Sequence, residues 1–439
     1  MKLHEDRTYN EVYSLSRKNL RQRRLPVSLI LAGLLLCNPI LLNPAFSFQT
    51  QLVHNKLAAM VSLTGQTSIT FRRSTARMAK KKGRLRPSTN ATNTKSMVRP
   101  ADPRSVIVSP GHLEEKALQL AEWLSSRNNV FCLTGAGLST DSGIPDYRGH
   151  KGSYHVGHKP IIHQQFMDSA FQRQRYWGRS MVGWKKFDRA EPNKGHYSLA
   201  TLEKMGKLGV GMEDRVEFYD DLDKDEFLFT SGQRRLTILT QNVDSLHDRA
   251  GSKDVLALHG GNKAVRCMNC GHRMPRNNYQ EQLKETNQAW LEEHAKLSEE
   301  DDENEQSRRQ QSQMRPDGDA ELKQANYEYV NLPDCPSCND GFFKPDVVFF
   351  GDSVPKHRVA ICQQAVENCD GILVVGSSLS VHSAFRHVRA ASQRGISVAI
   401  LNVGDTRAEA EDLEGLVKIE APIGDTLEQC VKLLGNKQY

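Results

Sequence analysis

Between Glu11 and Asp102 the chain has no acidic residue at all, although it holds 52 Asp and Glu in 439 residues. Its first hundred residues carry 18 Lys and Arg against 3 Asp and Glu, a net of +15. The whole chain is only +7, so the remainder carries −8. Total charge therefore gives no case for nucleic-acid binding, because the basic part is a leader and the globular part is mildly acidic. Long apolar runs are also scarce. The stretch from Leu25 to Leu42 is broken by Pro39 and falls short of the ~20 residues of a membrane span. Cysteines number nine, an odd count, with four in two C-x-x-C pairs and five scattered. That pattern suits a reducing compartment with one metal site better than a disulfide framework. The G-x-G-x-x-G fingerprint of dinucleotide sites is missing too.

The leader, residues 1–104, reads as an organellar targeting segment. Arg17, Lys18, Arg21, Arg23 and Arg24 flank the apolar run, Ala45-Phe46 follows it, and Lys, Arg, Ser and Thr dominate to Pro100. Two readings stand. One is a mitochondrial presequence, with Met60 as an alternative start. The other is a two-part presequence, a signal segment followed by a transit segment, as in complex plastids. A membrane anchor ranks third on length. The basic run at 80–87 gains no nucleic-acid role in such a leader.

The folded part is expected to begin near Val106, with a helix over His112–Ser126. Val130 to Leu133 predicts a buried strand that breaks into TGAGLSTDSGIPDYRG, residues 134–149. Gly135 and Gly137 suit close backbone approach to a bound group. Asp146, Tyr147 and Arg148, after Pro145, form a polar and aromatic cluster that packing does not explain. Three more short apolar runs end in polar residues. Leu236–Leu239 leads to Gln241-Asn242-Val243-Asp244, Gly371–Val375 to Gly376-Ser377-Ser378, and Ile396–Leu401 to Asn402-Val403-Gly404. Polar groups at the carboxyl ends of apolar strands are what a ligand crevice in a parallel sheet requires. His259, before Gly260 and Gly261, is placed as a general base. A last helix is expected over Leu413–Leu434.

Two insertions interrupt this pattern. Residues 151–233 carry Phe166, Phe171, Tyr176, Trp177, Trp184, Leu199 and Leu202 at helical spacing, all read as packing. His155, His158 and His163 within them read as solvated loop histidines rather than metal ligands. Met212 to Gly232 reads as an acidic surface loop. Residues 262–340 contain Cys267, Cys270, Cys335 and Cys338, a thiolate set for one structural Zn²⁺. The stretch between the cysteine pairs is expected to be helical near Gln280–Leu297 and disordered afterwards. Next, KPDVVFFGD at 344–352 is an extended apolar segment able to pair with another extended chain. The predicted fold class is α/β, an open parallel Rossmann-like sheet built from 105–150, 234–261 and 341–439. A smaller helical and zinc-binding domain is formed by the two insertions.

GAGLSTDSGIPDYRG, TQNVDSLHDRAG, LHGGN, the paired C-x-x-C, KPDVVFFGD, VVGSSLSV and LNVG together resemble the sirtuins, NAD-dependent protein deacylases. QRQRYWGRSMVGW at 172–184 and RPDGD at 315–319 resemble class II members, the mitochondrial sirtuin-four-like proteins. The resemblance implies that NAD contacts Gly135, Ala136, Gly137, Ser139, Asp146, Tyr147 and Arg148. It implies further contacts from Gln241 to Asp244, Gly376 to Ser378, Asn402 to Gly404, and Ile423 near the adenine. It also implies His259 as the base on a ribose hydroxyl, Asn242 and Asp244 as catalytic partners, and an acyl-lysine protein substrate along Val348, Phe349 and Gly351. The expected products are nicotinamide, O-acyl-ADP-ribose and free lysine. Mono-ADP-ribosyl transfer or lipoamidase activity on the same scaffold stands as the alternative, and a non-catalytic NAD-binding zinc protein as a third reading. No Arg follows Arg148 in the loop holding Tyr154, which argues against succinyl and malonyl groups. No nucleic-acid partner and no membrane anchor are expected.

Overall fold

The computed structural model describes residues 109–149, 152–155, 157–212, 235–299, 315–320, 322 and 325–436. The expectations for the leader, for the acidic loop at 213–232 and for the acidic stretch at 300–306 fall outside the described residues.

The chain opens with α1 (Pro110–Ser125). Ser109 caps it through a bond from the His112 amide, and Pro110 stands where the helix needs no amide donor. Then come β1 (Val130–Thr134), a 3-10 turn at Ala136–Ser142, α2 (His163–Asp168), α3 (Ala170–Asp188) and α4 (Lys194–Lys204). A short antiparallel pair, β2 (Val210–Gly211) with β3 (Arg235–Leu236), precedes β4 (Ile238–Thr240), α5 (Leu246–Arg249) and β5 (Val255–Ala257). The expected strand at Leu236–Leu239 is thus divided, because Leu236 pairs with Val210 while Ile238–Thr240 joins the main sheet.

The cysteine module follows: β6 (Gly260–Cys267), β7 (Arg273–Pro275), α6 (Arg276–Thr286), α7 (Gln288–Glu299) and β8 (Phe343–Val347). The chain returns through α8 (Lys356–Asn368), β9 (Gly371–Val375), α9 (His382–Gln393), β10 (Ser397–Leu401), α10 (Arg407–Ala410), β11 (Leu416–Ile419) and α11 (Ile423–Asn436). The single helix expected over 413–434 is corrected here. Gly415, at φ 74°, and Pro422 bracket Leu416-Val417-Lys418-Ile419, which closes the sheet edge beside β10. Only the part from Ile423 onward is helical.

Six strands form one parallel sheet in the order β11-β10-β9-β1-β4-β5. This is the doubly wound order, with β1 at the point where the chain reverses its direction of travel across the sheet. Both faces are covered. Phe131 and Leu133 point into one apolar core and Val130 and Cys132 into the other, all with no exposure. That two-sided burial is why the strands read as continuous apolar runs.

A third core joins the two insertions. It holds Phe166, Tyr176 and Trp177 from the helical insertion with Val265, Tyr279 and Phe343 from the cysteine module. Trp177 is fully buried and donates its indole N–H to the Phe343 carbonyl at 3.1 Å, so the largest side chain leaves no polar atom unsatisfied. Of the aromatics expected to pack, Phe171 is the exception and is exposed. His158 is buried, not solvated as expected. Its Nε2 meets Arg315 Nη1 at 2.9 Å, and burial pushes its imidazole down to about 4.

Candidate active site

The switch point places four loops around one cleft of about 630 Å³. Gly135 donates its amide to the Val375 carbonyl and Gly137 to the Gly376 carbonyl at 2.8 Å, locking the first loop onto the β9 end. A Cβ at Gly137 would meet the Gly376 oxygen at 2.8 Å, so side chains are excluded at this junction. Gly376 itself sits at φ 61°, the left-handed region that favours glycine.

The second loop is tied to the first through side chains. Asn242 Nδ2 donates to the Gly135 carbonyl and to Ser139 Oγ, both at 3.1 Å. Ser139 in turn donates to Asp244 Oδ2 at 2.7 Å, and Asp244 Oδ1 accepts the Leu246 amide. Burial raises the Asp244 carboxyl above its ordinary range, partly offset by these two donors. Gln241 Nε2 reaches Ser377 Oγ at 2.8 Å, which links the β4 and β9 loops.

His259 lies on the cleft wall at the end of β5. Its Nδ1 is 3.0 Å from the Gln241 carbonyl, and its Nε2 is 2.8 Å from Ser383 Oγ. A carbonyl only accepts, so Nδ1 carries the proton and Nε2 presents a lone pair. Burial pushes the imidazole down to about 4, which keeps it neutral at physiological pH.

Nearly all the candidate residues share this cleft: Gly135 to Gly137, Ser139, Asp146 to Arg148, Gln241 to Asp244, His259, Gly376 to Ser378, Asn402, Val403, Val348, Phe349 and Gly351. Gly404 and Ile423 do not line it. Asp405 stands on the wall beside Gly404, and Ile423 packs against the core within reach of Gly376. Tyr154 is also off the wall, lying under the Arg148 guanidinium 5.1 Å from its ring centre. The extended segment is a partly occupied edge. Its Val348 amide donates to the His259 carbonyl, and its Phe350 carbonyl accepts from His163.

Four wall residues are not among the sequence-predicted site residues. Tyr176 was read as packing, yet it lines the cleft as well as the third core. Ser383 and Arg386 come from the start of α9, and Asp317 from the insertion, more than fifty residues from Asn262, which it adjoins. Only the RPDGD string hinted at the last.

About the cysteines the expectation and the geometry agree. The sulfur atoms of Cys267, Cys270, Cys335 and Cys338 all lie within 4.8 Å of one another, and two of the separations are 3.7 Å. Four sulfurs at ~2.3 Å from a common centre in a tetrahedron have edges of about 3.8 Å, so the set fits one tetrahedral metal. A Cβ at Gly341 would fall 2.2 Å from Cys267 Sγ, so the knuckle also requires a glycine. Among the described residues this is the only such cluster of potential ligands, and no helix is long and apolar enough to cross a membrane.

The chain is similar to known proteins in sequence and in fold. The Sir2 family profile matches residues 135–217 and 227–383. NAD-dependent protein deacetylase 2 of Bradyrhizobium diazoefficiens is 40% identical over 290 residues, 66% of this chain and 89% of that protein. NAD-dependent protein deacylase SRT2 of Arabidopsis thaliana is 41% identical over 308 residues, 70% of this chain and 73% of that protein. NAD-dependent protein deacylase Sirt4 of Drosophila melanogaster is 36% identical over 327 residues, 74% and 89% of the two chains. A solved Sir2 enzyme superposes with a TM-score of 0.51 at 25% identity, covering 74% of this chain and all of that one. With its sheet, its cleft and its cysteine module accounted for, the chain belongs to the Sir2 family.

Proposed function

We propose that the chain is an NAD-dependent protein-lysine deacylase that transfers the acyl group to ADP-ribose and releases nicotinamide. The observation that carries this reading is His259, neutral and on the cleft wall, with Nδ1 anchored on Gln241 and the unprotonated Nε2 beside the Ser383 hydroxyl, which also lines the cleft. Bound NAD supplies an electrophilic ribose carbon, a ribose hydroxyl and nicotinamide as leaving group. His259 Nε2 takes the proton of that hydroxyl. The Gln241 carbonyl fixes the tautomer throughout and stabilises the imidazolium once the proton has arrived. Asn242 and Asp244, held by Ser139, position polar atoms beside it. The Val348–Gly351 segment receives the substrate backbone on the edge that His259 and His163 leave open. Zn²⁺ held by the four cysteines has a structural role, since four thiolates close the coordination sphere.

The test is nicotinamide release from NAD with an acyl-lysine peptide panel, comparing the wild type with His259→Ala. Turnover in the wild type and its loss in the folded variant support the reading. NAD label that stays on protein without acyl transfer indicates mono-ADP-ribosyl transfer instead, and release of a lipoyl group indicates lipoamidase activity. NAD binding with no turnover leaves a non-catalytic binder. QRQRYWGRSMVGW and RPDGD support a class II, sirtuin-four-like assignment within the family. The acid-free leader supports a mitochondrial matrix location, with a plastid as the alternative. A fluorescent fusion of residues 1–100 distinguishes them.

A further inference from the structure

The cleft lining includes the apolar or aromatic Tyr176, Pro316, Val348 and Phe349 together with Asn262 and Asp317, each of which carries a buried acceptor. Asn262 is 2% exposed, and its Oδ1 is buried with no hydrogen-bond partner. Asp317 Oδ1 is likewise buried and without a partner. The two residues adjoin, since the Asn262 side-chain Nδ2 donates to the Asp317 main-chain carbonyl at 3.0 Å.

Their positions are built. Asn262 is fixed by its main-chain N–H, which donates to the Val243 carbonyl at 3.0 Å. Asp317 sits at the tip of a turn closed by Gly318 N–H to Arg315 C=O at 2.9 Å and by Arg315 N–H to Asp319 C=O at 3.0 Å. Behind the turn, Arg179 Nη2 meets Asp319 Oδ1 at 2.7 Å with both side chains buried, and Arg315 meets His158. Arg179 and Arg315 bond to Asp319 and His158, and neither is a partner of Asp317 Oδ1. Burial raises the Asp317 carboxyl above its ordinary range, with Arg179 opposing. Leaving a buried acceptor unpaired is costly, and a bound donor recovers that cost.

We propose that Asp317 and Asn262 are specificity-determining residues that select acyl groups carrying a neutral hydrogen-bond donor, a hydroxyl or an amide, over plain hydrocarbon or carboxylate-ended acyl groups. This rests on the deacylase reading above. A hydroxyl donates to Asp317 and satisfies it, a methyl leaves both acceptors unpaired, and a second carboxylate meets like charge. Sites that bond a substrate hydroxyl reject the analogue lacking it far more strongly than apolar pockets reject an added group.

The test measures kcat/KM with NAD for one peptide carrying acetyl-, butyryl-, 3-hydroxybutyryl- or succinyl-lysine. The wild type is expected to prefer 3-hydroxybutyryl over butyryl by about tenfold or more, and to turn over succinyl more slowly than butyryl. In Asp317→Leu that ratio is expected to fall to about one, and in Asp317→Asn, which keeps shape and one acceptor, to lie between. If Asp317→Leu does not fold, the Asp317→Asn ratio decides. A wild-type ratio at or below one, or a ratio unchanged in the folded variant, overturns the inference while acetyl turnover leaves the deacylase reading standing. No turnover of any acyl peptide overturns both.

Discussion

Nε2 of His259 lies 2.8 Å from Ser383 Oγ, while Nδ1 of the same ring lies 3.0 Å from the Gln241 carbonyl. The ring is thus held from two sides, by a backbone acceptor that fixes its proton and by a hydroxyl that donates to its free nitrogen. The first contact comes from the loop after the neighbouring strand β4 and the second from a helix 124 residues further along the chain.

The pH profile follows from this environment. Burial pushes His259 down to about 4, so the base is neutral throughout pH 6–8. The kcat/KM for nicotinamide release is expected to show no acidic limb in that window, with loss setting in only as pH falls toward 4. A limb centred near 6.5 contradicts the assignment.

Ser383→Ala removes a donor that favours the neutral ring, so the imidazole is expected to rise. With a bond worth about 1 kcal/mol, the acidic limb moves up by less than about one pH unit. The profile of the variant, measured beside that of the wild type, distinguishes this from a purely structural loss, which lowers rates equally at every pH.

Gly376→Ala places a Cβ 2.4 Å from the Leu138 amide nitrogen at φ 61°. The expected cost is roughly 2 kcal/mol or more, together with a raised KM for NAD. Gly111, in α1 with open space around its Cα, is the control. Its change to Ala is expected to be neutral or stabilising by about 0.5–1 kcal/mol. Thermal unfolding of both variants checks the contrast.

Cys335→Ser breaks the four-sulfur set, and Cys335 is fully buried among the residues of the third core. One equivalent of metal is expected to be lost, with a fall in Tm of roughly 10 °C, since structural sites contribute folding energy directly. Metal content by elemental analysis and a melting curve test this. Full metal retention argues against the tetrahedral set.

Trp177→Ala empties the centre of the core that the two insertions share, removing its bond to Phe343 and the ring beneath the Arg276 guanidinium. A loss of about 3–5 kcal/mol is expected in chemical denaturation. A loss below about 1 kcal/mol contradicts the packing described.

Much of this protein was legible in the chain itself. Val130–Leu133 and Gly371–Val375 announce buried strands because both faces of the sheet are covered, and a two-sided burial leaves an unbroken apolar run. Asn242, Asp244 and His259 stand next to such runs, and C-x-x-C spacing is local, so these candidates needed no long-range information. The edge strand Leu416–Ile419 was not legible as a strand. Its alternation is short and its burial partial, and only pairing with β10 fixes it.

The order of the strands, and with it the meeting of four loops at β1, was decided by tertiary structure, because parallel neighbours are distant in sequence. The same holds for the neutral state of His259, which depends on desolvation by elements from three parts of the chain. It holds also for Asp317, whose place beside Asn262 comes from a turn pinned by Arg179 and His158. Sequence by itself determined which residues are chemically able to act. Folding decided which of them face the same cavity and in what protonation state, since burial and contact between distant segments are properties of the packed chain alone.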